Sequence, residues 1–131
     1  MSQIKAVITQ IETVDNLNIV KFDFQGHSLT MMSLGLNEEI SVGKEVILGI
    51  KPTHIAIGKD LSGLVSYSNQ IKAKIISCEN GKLLSSIKLS VNDVVLESII
   101  TLESALSMDL KVADDVTMML KASELSILKV L

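Results

Sequence analysis

Short apolar runs broken by turn-forming residues recur along this chain about every eight to twelve residues, the rhythm of a small barrel or sandwich. Ile4 to Val14 predicts a first strand, closed by Asp15-Asn16. Leu17 to Phe24 predicts a second, with Leu17, Ile19, Phe22 and Phe24 as its apolar positions and a register slip near Lys21. Gln25-Gly26-His27 turns the chain into Ser28 to Ser33, and Leu34 to Ile40 reads as a short helical turn. Glu45 to Lys51 forms another strand, which Pro52 ends because it has no N–H and restricts the residue before it. Ile55 to Ile57 is a last short strand, and Gly58 to Gly63 reads as a linker.

From Ser66 the same order of events begins again. Ile71 to Cys78 predicts a strand, and the Asn80-Gly81 pair suits a hairpin. Strands at Leu83 to Ser90 and Val94 to Ile100 follow. Thr101 to Asp109 has Leu102, Ala105 and Leu106 at helical spacing, and Val116 to Lys121 and Ser126 to Leu131 complete the set. The recurrence is an internal repeat. Ile4-Lys5-Ala6-Val7-Ile8 aligns with Ile71-Lys72-Ala73-Lys74-Ile75 at an offset of 67, and Glu45 to Lys51 aligns with Asp115 to Lys121 at an offset of 70. The fold class expected is all-β with small helical turns, built as two units, residues 1–63 and 66–131. Each lies near the lower size limit for an independent core.

Composition narrows the function. The 131 residues are 47% apolar but only 2% aromatic, and no apolar run approaches the roughly 18 to 20 residues of a membrane span. The start, Met1-Ser2-Gln3-Ile4-Lys5, lacks the pattern of a signal peptide, and the single Cys78 has no internal disulfide partner. A cytoplasmic setting is expected. All twelve basic residues are lysine, so arginine-based base readout and phosphate clamping are absent, and direct nucleic-acid binding is not expected. No catalytic constellation or Gly-rich phosphate loop is present, so the chain does not read as an enzyme. His27 and His54 have no partners at metal-ligand spacing and read as solvated. Cys78 reads as a small hydrophobe, and the pairs Met31-Met32 and Met118-Met119 as core or interface packing.

The stretch from Ile99 to Leu125 carries the candidate chemistry. Thr101 and Ser104 are hydroxyls three residues apart, and Lys121-Ala122-Ser123 follows a second apolar run. Hydroxyls, backbone N–H groups and one ammonium form a donor-only set suited to a tetrahedral oxyanion. The same residues also read as a helix cap and a solvated strand end, and the pattern alone leaves both roles open.

Three motifs in the second unit resemble the molybdate-binding TOBE (Mop, molbindin-type) family. Ser66-Tyr67-Ser68-Asn69-Gln70-Ile71-Lys72-Ala73-Lys74-Ile75 is similar to that family's opening Ser-Ala-Arg-Asn-x-Leu-x-Gly-x-Val. Ile100-Thr101-Leu102-Glu103-Ser104 is similar to its Ile-Thr-x-x-Ser, and Lys121-Ala122-Ser123 falls in its Ile-Lys-Ala-Ser-x-Val. The duplication extends the resemblance to a tandem di-Mop arrangement. It implies two five-stranded OB-like barrels and a cytoplasmic homo-oligomer, trimer or dimer, without organic cofactor or metal-ligand set. Molybdate, or tungstate, would be held at subunit interfaces for storage or homeostasis. The binding set it implies is Ser66, Ser68, Asn69, Thr101, Ser104, Lys121, Ala122 and Ser123. Tyr67, inside the opening motif, lines the anion site or packs on an edge strand.

The sequence also departs from the family pattern. Ser68 replaces the arginine. The first unit begins too late to hold the whole opening motif, and Met32-Ser33-Leu34-Gly35-Leu36 places Leu36 where Ser104 stands. Its third motif, Lys51-Pro52-Thr53, offers Lys51 and Thr53 to a possible second site. These departures motivate the alternative of a regulatory or oligomerisation module that has lost anion binding.

Overall fold

Alternating burial dominates the computed structural model, which describes residues 1–131. The first half contains β1 (Ser2–Val14), β2 (Leu17–Phe24), β3 (His27–Leu34), β4 (Glu45–Ile50) and β5 (Ala56–Gly58). The second contains β6 (Asn69–Asn80), β7 (Leu84–Val91), β8 (Val94–Thr101), helix α1 (Leu102–Ser107), β9 (Asp115–Leu120) and β10 (Leu125–Val130). One-turn 3₁₀ helices at Pro52–His54 and Ala122–Glu124 precede β5 and β10. The protein is all-β, with two five-stranded sheets of the OB-like kind.

The repeat is visible in the pairing itself. Ser2 pairs with Ile50 and Val7 with Glu45, just as Asn69 pairs with Leu120 and Lys74 with Asp115. The offsets of 67 and 70 are therefore structural equivalences. Leu17 faces Leu34 and Leu84 faces Thr101, so Thr101 corresponds to Leu34 and Ser104 to Asn37. This corrects the expectation that Leu36 holds the place of Ser104.

Two local expectations also change. No slip occurs in β2, which buries Asn18, Val20, Phe22 and Phe24 and turns Leu17 and Ile19 outward. The irregularity lies on the neighbouring strand. Thr9 is an extra residue between the pairs Ile8–Phe22 and Gln10–Lys21, and Ile76 repeats the bulge in β6. Such a bulge adds twist, which helps a short sheet close. Asn18 is tolerated inside because Thr13 Oγ1 donates to its Oδ1 at 2.6 Å; the equivalent pair, Ser85 Oγ to Asn80 Oδ1, repeats that distance. Residues 34–40 form no helix: Gly35 has φ +74°, and Asn37 Oδ1 accepts from Glu39 N in a side-chain-closed turn.

The two sheets exchange their fifth strands. Their orders are β10-β4-β1-β2-β3 and β5-β9-β6-β7-β8, so β10 completes the sheet of the first half and β5 that of the second. The 24-residue apolar core is consequently continuous across both halves. A pseudo-two-fold axis relates them, and equivalent residues meet on it. Asn92 Nδ2 donates to Gln25 Oε1 at 3.0 Å at one contact, and His54 Nδ1 lies 2.9 Å from Glu124 Oε2 at another.

Size complementarity fixes the exchange. A Cβ on Gly49 of β4 would stand 2.8 Å from the Leu128 side chain of β10. At the equivalent place the sizes are reversed, with Met119 of β9 reaching over Gly58 of β5. A further clip holds the chain after β5. Lys59 Nζ donates to Asp109 O at 2.7 Å and pairs with Asp114 Oδ2 at 3.0 Å, and Lys111 N donates to the same carboxylate at 3.1 Å. The hydrogen bond from Lys59 leads the causes that hold the Asp114 carboxyl below its ordinary range.

Gly49→Met should cost about 1–3 kcal/mol by overpacking. The double variant Gly49→Met/Leu128→Gly, which copies the Met119–Gly58 arrangement, should regain at least half of that loss in urea unfolding. The lowered pKa of Asp114 has a definite sign: its contribution is present above the unfolded carboxylate range and is lost as pH falls through the native value. Unfolding midpoints measured across the acid range should fall less steeply in Asp114→Asn than in the unaltered chain.

Candidate functional site

β6 and β9 run antiparallel with Asn69 opposite Leu120, so the chain entering β6 runs beside the chain leaving β9. Ser68 and Lys121, the residues next in line, therefore stand at the same end of this strand pair. Gln70 Nε2 donates to Tyr67 O at 2.8 Å and fixes the entering segment. Ser66, Ser68, Lys121 and Ser123 are exposed, while Tyr67 and Ala122 are half-buried. Two of the three predicted motifs thus share one end of the β6–β9 pair.

Asn69 is the exception among these residues. Its side chain is fully buried, donates to Thr30 O at 2.9 Å and accepts from Thr30 N at 2.6 Å. Thr30 lies on β3, an edge strand, and the Asn69 amide pairs with it as another strand would. The amide is thereby committed to joining the halves. The equivalent residue in the first half is Ser2, which makes no such clasp.

The second motif lies elsewhere. Thr101 ends β8 and caps α1: its Oγ1 accepts from Ser104 N at 3.1 Å and donates to Ser104 Oγ at 2.9 Å. Both hydroxyls are exposed. β8 packs against the Pro52–His54 turn, with Ser98 Oγ donating to Ile55 O at 2.6 Å, whereas the Ala122–Glu124 turn packs against β3. Thr101 thus ends a strand packed on the Pro52–His54 turn, whereas Lys121 and Ser123 belong to the other turn, packed on β3.

The Ala122–Glu124 turn forms a composite cleft with the first half. Ser123 shares an open groove of about 440 Å³ with Ser33, Leu34 and Asn37 of the first half. By the repeat, Thr53 is equivalent to Ser123, and Thr101 and Ser104 to Leu34 and Asn37, and the Thr53 turn packs against β8. Lys51 and Thr53 are exposed there. A smaller cavity of about 180 Å³, lined by Lys51, His54, Ser123 and Glu124, lies where the two turns meet. No three His, Cys, Asp or Glu side chains converge anywhere in the chain. Cys78 is half-buried, and loss of hydration followed by the Asp114 charge pushes its thiol pKa up, away from nucleophilic character. No helix is long and apolar enough to cross a membrane.

Among the composite partners, Ser33 falls in the first unit's counterpart of the second motif, while Asn37, His54 and Glu124 match no motif position. The alignment of the repeats contains their positions, but the exchange that joins each turn to the other half is a non-local fact.

Comparison with known proteins identifies the second half. The TOBE domain family profile matches residues 66–127. This segment is a TOBE domain. The TOBE match covers all three motifs, from Ser66 through Lys121-Ala122-Ser123. No curated protein matches the chain in sequence. Its fold is similar to a solved structure described as the cytoplasmic molybdate-binding protein ModG with molybdate bound. The TM-score is 0.90 at 19% identity, covering 95% of this chain and 93% of that one. The likeness in fold covers both halves, including the first half, which the TOBE profile leaves unmatched.

Asn69→Leu should cost about 1–3 kcal/mol, because Thr30 N and O would be left unpaired beneath the second half. Urea unfolding measures the loss, and Ser2→Ala, at the equivalent position, should change stability by less than about 0.5 kcal/mol.

Proposed function

We propose that the protein binds molybdate, and tungstate by the same chemistry, as a non-catalytic cytoplasmic binding protein serving storage or homeostasis. The observation carrying this reading is that Ser66-Tyr67-Ser68 enters β6 at the end where Lys121-Ala122-Ser123 leaves β9, two parts of a donor-only set within a TOBE segment. The likeness of the whole fold to a protein described as holding molybdate supports it. A tetrahedral dianion leaving water needs several hydrogen bonds and compensating charge. Exposed hydroxyls and backbone N–H groups supply the first, and Lys121 the second; Lys51 has the same part at the counterpart turn with Thr53.

The reading includes an assembly, dimer or trimer. The cleft is open and the donors of both turns are exposed, and Thr101 ends a strand packed on the turn that does not hold Lys121. A second copy placed against either turn would exclude water and bring missing donors, strengthening each hydrogen bond. The domain units remain residues 1–63 and 66–131 in this reading, with each sheet completed by the other unit's last strand.

The second reading, an oligomerisation module that has lost anion binding, is favoured by the commitment of the Asn69 amide to Thr30 and by Ser68 in place of arginine. One titration separates the two readings. At about 100 times its Kd, a ligand bound to the native state adds about 2.7 kcal/mol of stability. Molybdate should raise the melting temperature by several degrees and sulfate much less. Lys121→Ala should reduce that shift by half or more while moving the ligand-free melting temperature little. An unchanged melting temperature in molybdate and tungstate, with no saturable uptake in equilibrium dialysis, would establish the second reading.

A further inference from the structure

His54 and Glu124 are equivalent positions of the repeat that carry opposite chemistry and meet on the pseudo-two-fold axis. His54 follows Thr53 and Glu124 follows Ser123, so each adjoins a candidate anion ligand on its own 3₁₀ turn. The two side chains are 34% and 37% exposed and line the axial cavity together with Lys51 and Ser123. His54 Nδ1 is shut off from solvent and makes no well-aligned hydrogen bond, yet it lies 2.9 Å from Glu124 Oε2. The charged neighbours are few. Lys51 belongs to the same segment as His54, Glu124 and Lys121 to the facing turn, and Met1 lines the cavity from the start of β1. On β8, the strand packed against the His54 turn, the single charged side chain is Glu97, which accepts from Ser86 Oγ on β7.

We propose that His54 and Glu124 form a proton-dependent charge pair that determines anion affinity at the two turns that carry them, an inference that rests on the anion-binding reading. With His54 neutral, the Glu124 carboxylate keeps its negative charge one residue from Ser123, and it repels an incoming dianion. Histidine is the side chain that gains its charge between pH 5 and 8. Once His54 is protonated, the pair is neutral and the repulsion is removed. By linkage, anion binding then draws a proton onto His54 by the same factor. The pair touches the turns of both halves, so one protonation event acts on both.

Calorimetric titration with molybdate at about pH 6 and about pH 8 tests this. The full-length chain is used, in two buffers of different ionisation enthalpy. Affinity should be about fivefold or more higher at the lower pH, with net proton uptake. The variants should move in opposite directions. Glu124→Gln should bind more tightly than the unaltered chain at the higher pH, and His54→Gln more weakly at the lower pH. Both should lose the proton uptake, and both share any effect of pH on the anion itself. Melting curves confirm that each variant is folded; where one is not, proton uptake by the unaltered chain alone decides. Binding without proton uptake, or variants that shift affinity in the same direction, would overturn this proposal and leave anion binding standing. No heat of binding at either pH, with no saturable uptake in dialysis, would overturn both.

Discussion

The exchange of fifth strands is the constraint on which the structure depends. A half of some 60 residues buries too little of its surface to be secure alone. Trading β5 for β10 pairs the exposed edges of β9 and β4 and joins two small apolar clusters into one. The 3₁₀ turns at Pro52–His54 and Ala122–Glu124 are where each strand crosses over. They must therefore lie between the halves, against β8 and β3 respectively. The position of every candidate ligand after Leu120 or Ile50 follows from that crossing.

The site is a product of the same constraint. Crossing separates a half's hydroxyl-bearing second motif from its own lysine-bearing turn and presents each to the other half. Divergence between the halves then matters twice, once for each turn. Leu34 and Asn37 stand where Thr101 and Ser104 do, and Pro52 stands where Ala122 does, so the surroundings of the two turns differ in polarity and donors. Asn69 has gone furthest from ligand chemistry, because its buried amide serves as a strand substitute on the β3 edge.

Much of this was legible in the sequence. Alternation and turn residues placed nearly every strand, and the offsets of 67 and 70 reappear unchanged in the β1–β4 and β6–β9 registers. The slip near Lys21 was sensed in the right place but on the wrong strand, because a bulge at Thr9 disturbs the partner's pattern as well as its own. Asn18 misled the reading of β2, since a polar residue reads as outward unless its bond to Thr13 is known. The capping role of Thr101 was written in the spacing of Thr101 and Ser104. What the sequence hid was the exchange. A strand that completes its own sheet and one that completes its neighbour's have the same pattern, and only the three-dimensional path of the 3₁₀ turns distinguishes them.

The reversed sizes of the pairs Gly49–Leu128 and Met119–Gly58 act as a code for partner choice between the halves. If two copies of the first half paired with each other, Gly58 would lie over Gly49 and leave a void. Two copies of the second half would force Leu128 into Met119. The axis residues give the same instruction in charge, since His54 would face His54 and Glu124 would face Glu124. Only unlike halves fit in both volume and charge. A chain that carries one of each thus closes on itself before it meets a neighbour, which leaves its outer surfaces free for assembly without entanglement.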